Sequence, residues 1–168
     1  RLDEEGTPFV GLLYAGLILT PAGVRVIEFN ARFGDPATQV VLPRLVTPLS
    51  RLLLAAAAGT LEDEPQPEFS DDVAITVVLA SEGYPEKPVT GRPLGGVAEA
   101  EDVPGVHVAH AATAASHDGL VATGGRVLNV VATAPDFATA RDRAYEAVGR
   151  ISLEGSHHRS DIAALVAQ

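Results

Sequence analysis

An apolar run, a turn and an alternating segment near the start of the chain most constrain its fold. Residues 9–19 are apolar and rich in small side chains, which predicts a buried strand. Residues 20–23 place Pro and Gly at the second and fourth positions of a type I turn. Residues 24–30 then alternate like a strand. The sequence therefore predicts an antiparallel hairpin that ends at Glu28-Phe29-Asn30.

Two helices are predicted after the hairpin. Residues 31–39 contain Gly and Asp-Pro, which is typical of a loop that leads into a helix, and Pro43 should end or kink that helix. The second helix has clear end signals, with Thr47 as N-cap, Pro48 at the first helical position and Gly59 just past the end. Its apolar face consists of Leu45, Leu49, Leu52, Leu53 and Ala56.

Residues 60–72 are rich in Asp, Glu and Pro, and we interpret them as an exposed connector between two structural units. Beyond the connector we expect strands, which fall at 73–80, near 105–111, at 119–123 and at 126–133. Gly124-Gly125 lies between the last two strands and predicts a two-residue hairpin. An amphipathic helix is predicted from Pro135 to about Leu153, with one stripe formed by Phe137, Ala140, Ala144, Val148 and Ile151.

These patterns predict an α+β fold with mostly antiparallel strands. The expected boundaries are 1–59 for a first domain, 60–72 for the acidic connector and 73–168 for a second domain. We expect the second domain to be a sheet of four or more strands packed by the 135–153 helix.

Charge and residue usage exclude several classes of protein. Twelve basic against 22 acidic residues give a net charge of −10, which argues against a nonspecific nucleic-acid binder. The absence of cysteine excludes disulfides and thiolate metal sites. No apolar run reaches the length of a transmembrane helix, and residues 1–5 do not show the basic-then-apolar pattern that is typical of a signal peptide. Because the chain starts at Arg1 and contains no Met, we expect a fragment or a processed product.

The end of the predicted hairpin carries a candidate metal site. Glu28 and Asn30 are two residues apart in a strand, so they share a face at a spacing of about 6–7 Å, and Phe29 faces the core. A carboxylate and an amide oxygen on one face suit Mg²⁺, which binds a few protein oxygens together with substrate phosphates. The alternative is an ordinary solvated polar face.

Two charged residues occupy the loop after the hairpin. Arg32 could hold a phosphate or carboxylate in a fork, and Asp35 follows it closely. The alternative is a salt bridge between Arg32 and Asp35 within the loop. The histidines are less informative, since His107 and His110 are three apart in a predicted strand and point to opposite faces.

The segment Glu28-Phe29-Asn30, followed by Arg32-Phe33-Gly34-Asp35-Pro36, resembles the phosphoribosylamine–glycine ligase family, whose signature is Arg-Phe-Gly-Asp-Pro-Glu-x-Gln. Residues 11–17 are similar to that family's penultimate ATP-grasp strand. The resemblance continues along nearly the whole chain, through motifs that occur in the family's order and spacing: Ala80–Pro85, His110–Thr113, Thr123–Leu128, Ala144-Tyr145 and Arg159–Ile162.

The resemblance implies an activity, a cofactor and site residues. Family members join glycine to 5-phosphoribosylamine through glycyl phosphate, using ATP and Mg²⁺ (or Mn²⁺). Glu28 and Asn30 match the metal-binding pair that bridges the ion to ATP, and Arg32 and Asp35 match the substrate-side loop. The resemblance also implies a cytoplasmic location. It further implies an N-terminal part that completes the ATP site and is absent from these 168 residues, so we expect the chain alone to be inactive.

One position departs from the family's pattern. Ala37 replaces the signature Glu, and its methyl group cannot accept a hydrogen bond from an ammonium or hydroxyl, which puts glycine recognition in doubt. The resemblance assigns no role to His110, Arg126 or His157-His158. Two alternatives remain: another ATP-grasp ligase, which the motifs after residue 72 argue against, and a noncatalytic binding or oligomerisation module that retains the fold.

Overall fold

The computed structural model describes residues 2–167, which form two compact units. The first unit comprises residues up to 38 together with 45–70, and the second comprises 39–44 together with the residues from 71 onward. The sequence-based boundaries 1–59, 60–72 and 73–168 stay a prediction. Among residues 2–167, no helix is long and apolar enough to cross a lipid bilayer.

The first unit contains the predicted hairpin. Strand β1 (Tyr14–Thr20) pairs antiparallel with β2 (Gly23–Asn30), and the Thr20 hydroxyl donates to the carbonyl of Gly23 at 2.8 Å across the turn. The prediction that this hairpin is buried is wrong within the part that the structure describes. Phe29, expected in the core, is 59% exposed. A two-stranded sheet buries a face only where another layer packs on it, and both faces of β2 are exposed here.

A β-bulge decides which side chains of β2 share a face. Gly16 lies opposite Glu28 and Leu17 lies opposite Val26, so Ile27 is an extra residue on β2. Strict alternation would put Val26 and Glu28 on one face, whereas the bulge places them on opposite faces. One face of β2 therefore carries the polar residues Arg25, Glu28 and Asn30. The other face of the hairpin is apolar and consists of Ala15, Leu17, Leu19, Val24, Val26 and Phe29.

Helix α2 (Leu49–Ala58) ends as predicted, because Gly59 adopts the left-handed conformation with φ of 73°. Its beginning differs from the prediction. Pro48 is the N-cap, and the Thr47 hydroxyl instead accepts a hydrogen bond from the backbone N–H of Glu68 at 2.8 Å. The prediction of Thr47 as N-cap is therefore wrong, because a partner distant in sequence competes for the hydroxyl.

Residues 61–70 are attached to α2 by several contacts. They contain a 3₁₀ turn at Leu61–Asp63, and the backbone N–H of Val46 donates to the carbonyl of Glu68 at 2.9 Å. Arg51 forms an ion pair with Glu64. The acidic segment thus carries defined structure within the first unit.

The second unit contains two antiparallel three-stranded sheets. The first has the order β3 (Val73–Ala80), β8 (Arg126–Ala134), β5 (Val106–His110), and the second has the order β4 (Pro93–Leu94), β7 (Gly119–Ala122), β6 (Thr113–Ser116). The four predicted strands are confirmed as β3, β5, β7 and β8. The prediction that they form a single sheet of four or more strands is wrong, because β7 pairs with β4 and β6 in a sheet of its own. The helices are α1 (Thr38–Val41), continued by a 3₁₀ turn at Leu42–Arg44, then α3 (Val97–Glu101) and α4 (Phe137–Arg150).

The predicted Gly124-Gly125 hairpin is wrong. Strands β7 and β8 lie in different sheets, and the hairpin partner of β7 is β6, which the sequence patterns missed. Gly124 and Gly125 instead carry the chain between the two sheets. A Cβ on Gly125 would collide with the ring of Tyr84, and one on Gly124 would lie 2.9 Å from the Cβ of Ala112. The glycines are required by this packing rather than by a turn.

The core of the second unit lies between α4 and the β3–β8–β5 sheet. Alanines of α4 form its buried stripe together with Val148, and β8 contributes a run of buried residues from Val127 to Ala132. Phe137, predicted on that stripe, is 40% exposed because it is the first helical residue and lies at the end of the contact. The small side chains let the helix pack closely on the sheet.

The N-terminus of α4 supports a prediction about acid stability. Asp136 caps the helix by accepting from the N–H of Thr139 at 2.8 Å, and this hydrogen bond lowers the pKa of the Asp136 carboxyl. Because the pKa of this carboxyl is lower in the folded than in the unfolded state, its ionised form stabilises the fold at pH values above the unfolded-state pKa. This stabilisation is lost as the pH falls through the folded-state pKa. We therefore expect the free energy of unfolding, measured with urea, to fall less between about pH 7 and about pH 3 in Asp136→Asn than in the unsubstituted chain. Asp71→Asn, on an exposed residue, is the control, and equal acid sensitivity in both variants would contradict the prediction.

Candidate functional site

Glu28 and Asn30 lie together at the end of β2. The Nδ2 of Asn30 donates to Oε1 of Glu28 at 2.9 Å, which places both side chains on the same face. This bond engages one carboxylate oxygen of Glu28, and the two side chains together offer carboxylate and amide oxygens on one face. Hard cations such as Mg²⁺ prefer carboxylate and amide oxygens, so the donor set fits such an ion.

Gly16 provides space for the Glu28 side chain. A Cβ built on Gly16 would lie 3.1 Å from Cγ of Glu28 and 3.5 Å from its carbonyl oxygen. Gly16 is itself buried and faces Glu28 in the register of the hairpin. A larger residue at this position would push Glu28 away from the strand, so the glycine keeps the carboxylate close to Asn30.

Arg32 and Asp35 lie on the loop that follows β2, in the same unit. Nη1 of Arg32 donates to the carbonyl of Phe33 at 2.8 Å, so the guanidinium is held by its own loop. Asp35 is exposed and is joined to Pro36 by a cis peptide bond. Both side chains are accessible from solvent, as a substrate contact requires, and their roles remain a prediction.

The two histidines of β5 engage different partners. Nδ1 of His107 lies 3.0 Å from Oε1 of Glu101, and Nδ1 of His110 lies 2.9 Å from the Thr113 hydroxyl. Each imidazole thus contacts a nearby polar side chain of the second unit, and the two rings do not share a partner.

The second unit brings together motifs that are far apart in sequence. Ala80 pairs with Arg126 on one side and with His157 on the other, and the N–H of Ala112 donates to the carbonyl of Arg126 at 3.0 Å. Buried Ser81 reinforces this end of the sheet, since its hydroxyl donates to the Gly124 carbonyl at 2.8 Å. Ser81 belongs to the Ala80–Pro85 motif, but its local sequence pattern does not indicate that it is buried.

Helix α4 holds the segment that contains His157-His158. The Tyr145 hydroxyl donates to the carbonyl of Arg159 at 2.7 Å and accepts from the N–H of Ile162 at 3.1 Å. Arg141 stacks on the Tyr145 ring and donates to two carbonyls of the same segment. Arg159 pairs with Asp161, and this hydrogen bond lowers the pKa of the Asp161 carboxyl. The Ala144-Tyr145 and Arg159–Ile162 motifs thus form one contact.

Two family models match this chain, one in each unit. The family model "Phosphoribosylglycinamide synthetase, C domain" matches residues 74–165, more than half of the chain. This chain belongs to the phosphoribosylglycinamide synthetase family. The model "Phosphoribosylglycinamide synthetase, ATP-grasp (A) domain" matches residues 1–38, a range that contains all four candidate site residues.

Curated relatives carry the name phosphoribosylamine–glycine ligase. The protein of Leifsonia xyli subsp. xyli is 64% identical over 98% of this chain and 40% of its own length. The protein of Streptomyces coelicolor is 60% identical over 99% of this chain and 41% of its own length. The chain therefore spans about two fifths of the length of these relatives.

Solved structures agree with the α+β architecture. Phosphoribosylamine–glycine ligase from Thermotoga maritima matches with a TM-score of 0.75 and 31% identity, covering 95% of this chain and 39% of that chain. The biotin carboxylase domain of the 2-oxoglutarate carboxylase from Hydrogenobacter thermophilus, solved with MgADP and bicarbonate, matches with a TM-score of 0.52 and 18% identity over 94% of this chain and 34% of that chain. The second likeness concerns the fold alone.

Proposed function

We propose that this chain forms part of an ATP-dependent ligase that joins glycine to 5-phosphoribosylamine. The observation that carries the proposal is the Glu28–Asn30 oxygen pair inside the range matched by the ATP-grasp domain of the family. Relatives named for this reaction match the chain over almost its whole length. The remainder of the catalytic centre would come from residues equivalent to the other three fifths of those relatives.

Within this proposal, Glu28 and Asn30 would hold Mg²⁺, or Mn²⁺ in its place, for use with ATP. Bound there, the ion supplies charge neutralisation for phosphoryl transfer. The reaction transfers the γ-phosphoryl group of ATP to the glycine carboxylate and releases ADP. The amine of phosphoribosylamine then forms the amide bond and displaces phosphate.

Arg32 and Asp35 are assigned to the substrate side of this centre. The exposed guanidinium of Arg32 suits an anionic group of a substrate, and Asp35 suits a substrate amine or the structure of the loop. Ala37 contributes no hydrogen bond, so the glycine ammonium must be recognised by other residues.

The proposal is tested by grafting. Replacing the matched part of the Leifsonia xyli ligase with these 168 residues yields a hybrid, here called the grafted ligase. We expect it to release ADP only with ATP, Mg²⁺, glycine and phosphoribosylamine together, whereas the 168 residues alone show no turnover. A panel of other amines and carboxylates is the control, and a folded graft that turns over one of those instead would support a different ATP-grasp ligase.

The same assay separates a catalytic chain from a binding module. A folded graft that binds ATP with Mg²⁺ in calorimetry but releases no ADP with any substrate would contradict the proposed ligation. Turnover by the isolated 168 residues would contradict the expectation that the rest of the centre lies outside them. Repeating the titration with Mn²⁺ shows whether that ion substitutes for Mg²⁺.

A further inference from the structure

The ring of Tyr14 lies directly on the backbone of Gly34. A Cβ built on Gly34 would lie 2.7 Å from Cε2 and 2.8 Å from Cδ2 of the ring. These distances are shorter than the closest approach of non-bonded carbon atoms. Gly34 is buried, although its neighbours Phe33 and Asp35 in the loop are exposed. The ring therefore covers one residue in the middle of an otherwise exposed loop.

Tyr14 also lies on the strand that pairs with the one carrying the proposed metal pair. Tyr14 is the register partner of Asn30, and a Cβ on Gly16 would lie 3.6 Å from Cε1 of Tyr14. Gly16 in turn faces Glu28. Tyr14 thus connects two parts of the first unit: its backbone pairs with Asn30 at the end of the hairpin, and its ring packs against Gly34 in the loop that carries Arg32 and Asp35.

A steric reason explains the glycine at position 34. Its φ lies outside the left-handed range that favours glycine, so its backbone conformation is accessible to other residues. The ring of Tyr14 is the obstacle to a side chain there. The N–H of Thr38 also donates to the Gly34 carbonyl at 3.0 Å, which ties the covered residue to the start of α1.

We infer that Tyr14 is a positioning residue that fixes the Arg32–Asp35 loop relative to the Glu28–Asn30 metal pair. This inference rests on the proposed function, because the loop is assigned to the substrate and the pair to the ion. Packing of the Tyr14 ring against Gly34 holds the loop at one distance from the strand without contacting substrate. Small displacements of a positioned group are costly in catalysis, so the contact matters to the reaction.

The contact itself is tested on the 168-residue chain by NMR. A ring packed against Gly34 should displace the α-proton resonances of that residue from their usual positions through its ring current. We expect Tyr14→Phe to retain the shift and Tyr14→Leu to lose it. An unshifted Gly34 in the unsubstituted chain, or a shift that survives in Tyr14→Leu, would overturn the inference.

Its consequence is tested by kinetics in the grafted ligase. Tyr14→Leu and Gly34→Ala should each raise the KM for glycine or phosphoribosylamine about tenfold or more, since the substrate loop is displaced. The Mg²⁺ concentration for half-maximal rate should change less than twofold, because strand pairing still holds Glu28 beside Asn30. If Tyr14 had a merely structural role, the substitutions would lower the yield of enzyme and its apparent kcat. They would not raise the substrate KM while leaving the Mg²⁺ requirement unchanged. Gly149→Ala is the matched control, since a Cβ there meets open space on α4.

A double substitution guards against a variant that fails to fold. In Tyr14→Ala/Gly34→Ala the obstacle is removed, so the KM should match that of Tyr14→Ala alone rather than show the product of two defects. Additive defects, or a KM unchanged in Tyr14→Leu, would overturn the inference. An unsubstituted graft without turnover would count against the proposed function instead, while the NMR result would still decide whether the contact exists.

Discussion

Glu28→Ala in the grafted ligase should lower kcat by on the order of 10²–10³-fold, the scale of losing one preorganised electrostatic contact in a catalytic centre. The substitution removes both carboxylate oxygens from the pair with Asn30 and leaves the amide as the remaining proposed ligand on that strand end. The rate of ADP release, measured as Mg²⁺ is titrated, is the readout. The Mg²⁺ concentration for half-maximal rate should rise together with the loss of rate.

Two further variants control this experiment. Glu28→Gln keeps the size of the side chain and one oxygen, so we expect an intermediate loss with the same rise in Mg²⁺ requirement. Glu62→Ala removes an exposed carboxylate from the acidic segment and should leave both values unchanged. Full activity of Glu28→Ala at the same Mg²⁺ concentration would remove Glu28 from the metal site.

Leu128→Ala should destabilise the second unit by about 2–5 kcal/mol, the range measured when a large buried aliphatic side chain is truncated. Leu128 is fully buried on the central strand β8 and pairs with Leu79 on β3 and His110 on β5. The truncation leaves a cavity in the layer between the sheet and α4. Urea unfolding of the 168-residue chain, followed by circular dichroism, measures the loss.

The matched control is the same substitution at an exposed leucine. Leu165 is 88% exposed, so Leu165→Ala should change the free energy of unfolding by less than about 0.5 kcal/mol. Equal effects of Leu128→Ala and Leu165→Ala would contradict the placement of β8 at the centre of the core.

Local patterns predicted many of the elements because their physical causes are local. The turn at residues 20–23, the strands β3, β5, β7 and β8 and the left-handed Gly59 follow from alternation, turn residues and backbone conformation. Two errors have a common origin in partners distant along the chain. Thr47 bonds to Glu68 rather than capping α2, and Gly124-Gly125 connects two sheets rather than closing a hairpin.

The sequence by itself determined the candidate ligands and the family resemblance. Glu28 and Asn30 are two residues apart on a strand, and this spacing alone predicts a shared face, which the hydrogen bond between them confirms. The comparisons confirm the family to which the ordered motifs pointed.

The tertiary structure decided which groups surround those ligands. The extra residue Ile27 turns Glu28 away from Val26, and only the pairing of two strands creates such a bulge. The approach of Tyr14 to Gly34, and the meeting of the Ala80, Arg126 and His157 segments, likewise bring together residues far apart in sequence. A local pattern describes backbone preference within a few residues, whereas these contacts depend on how whole strands pair and pack, so no single segment specifies them.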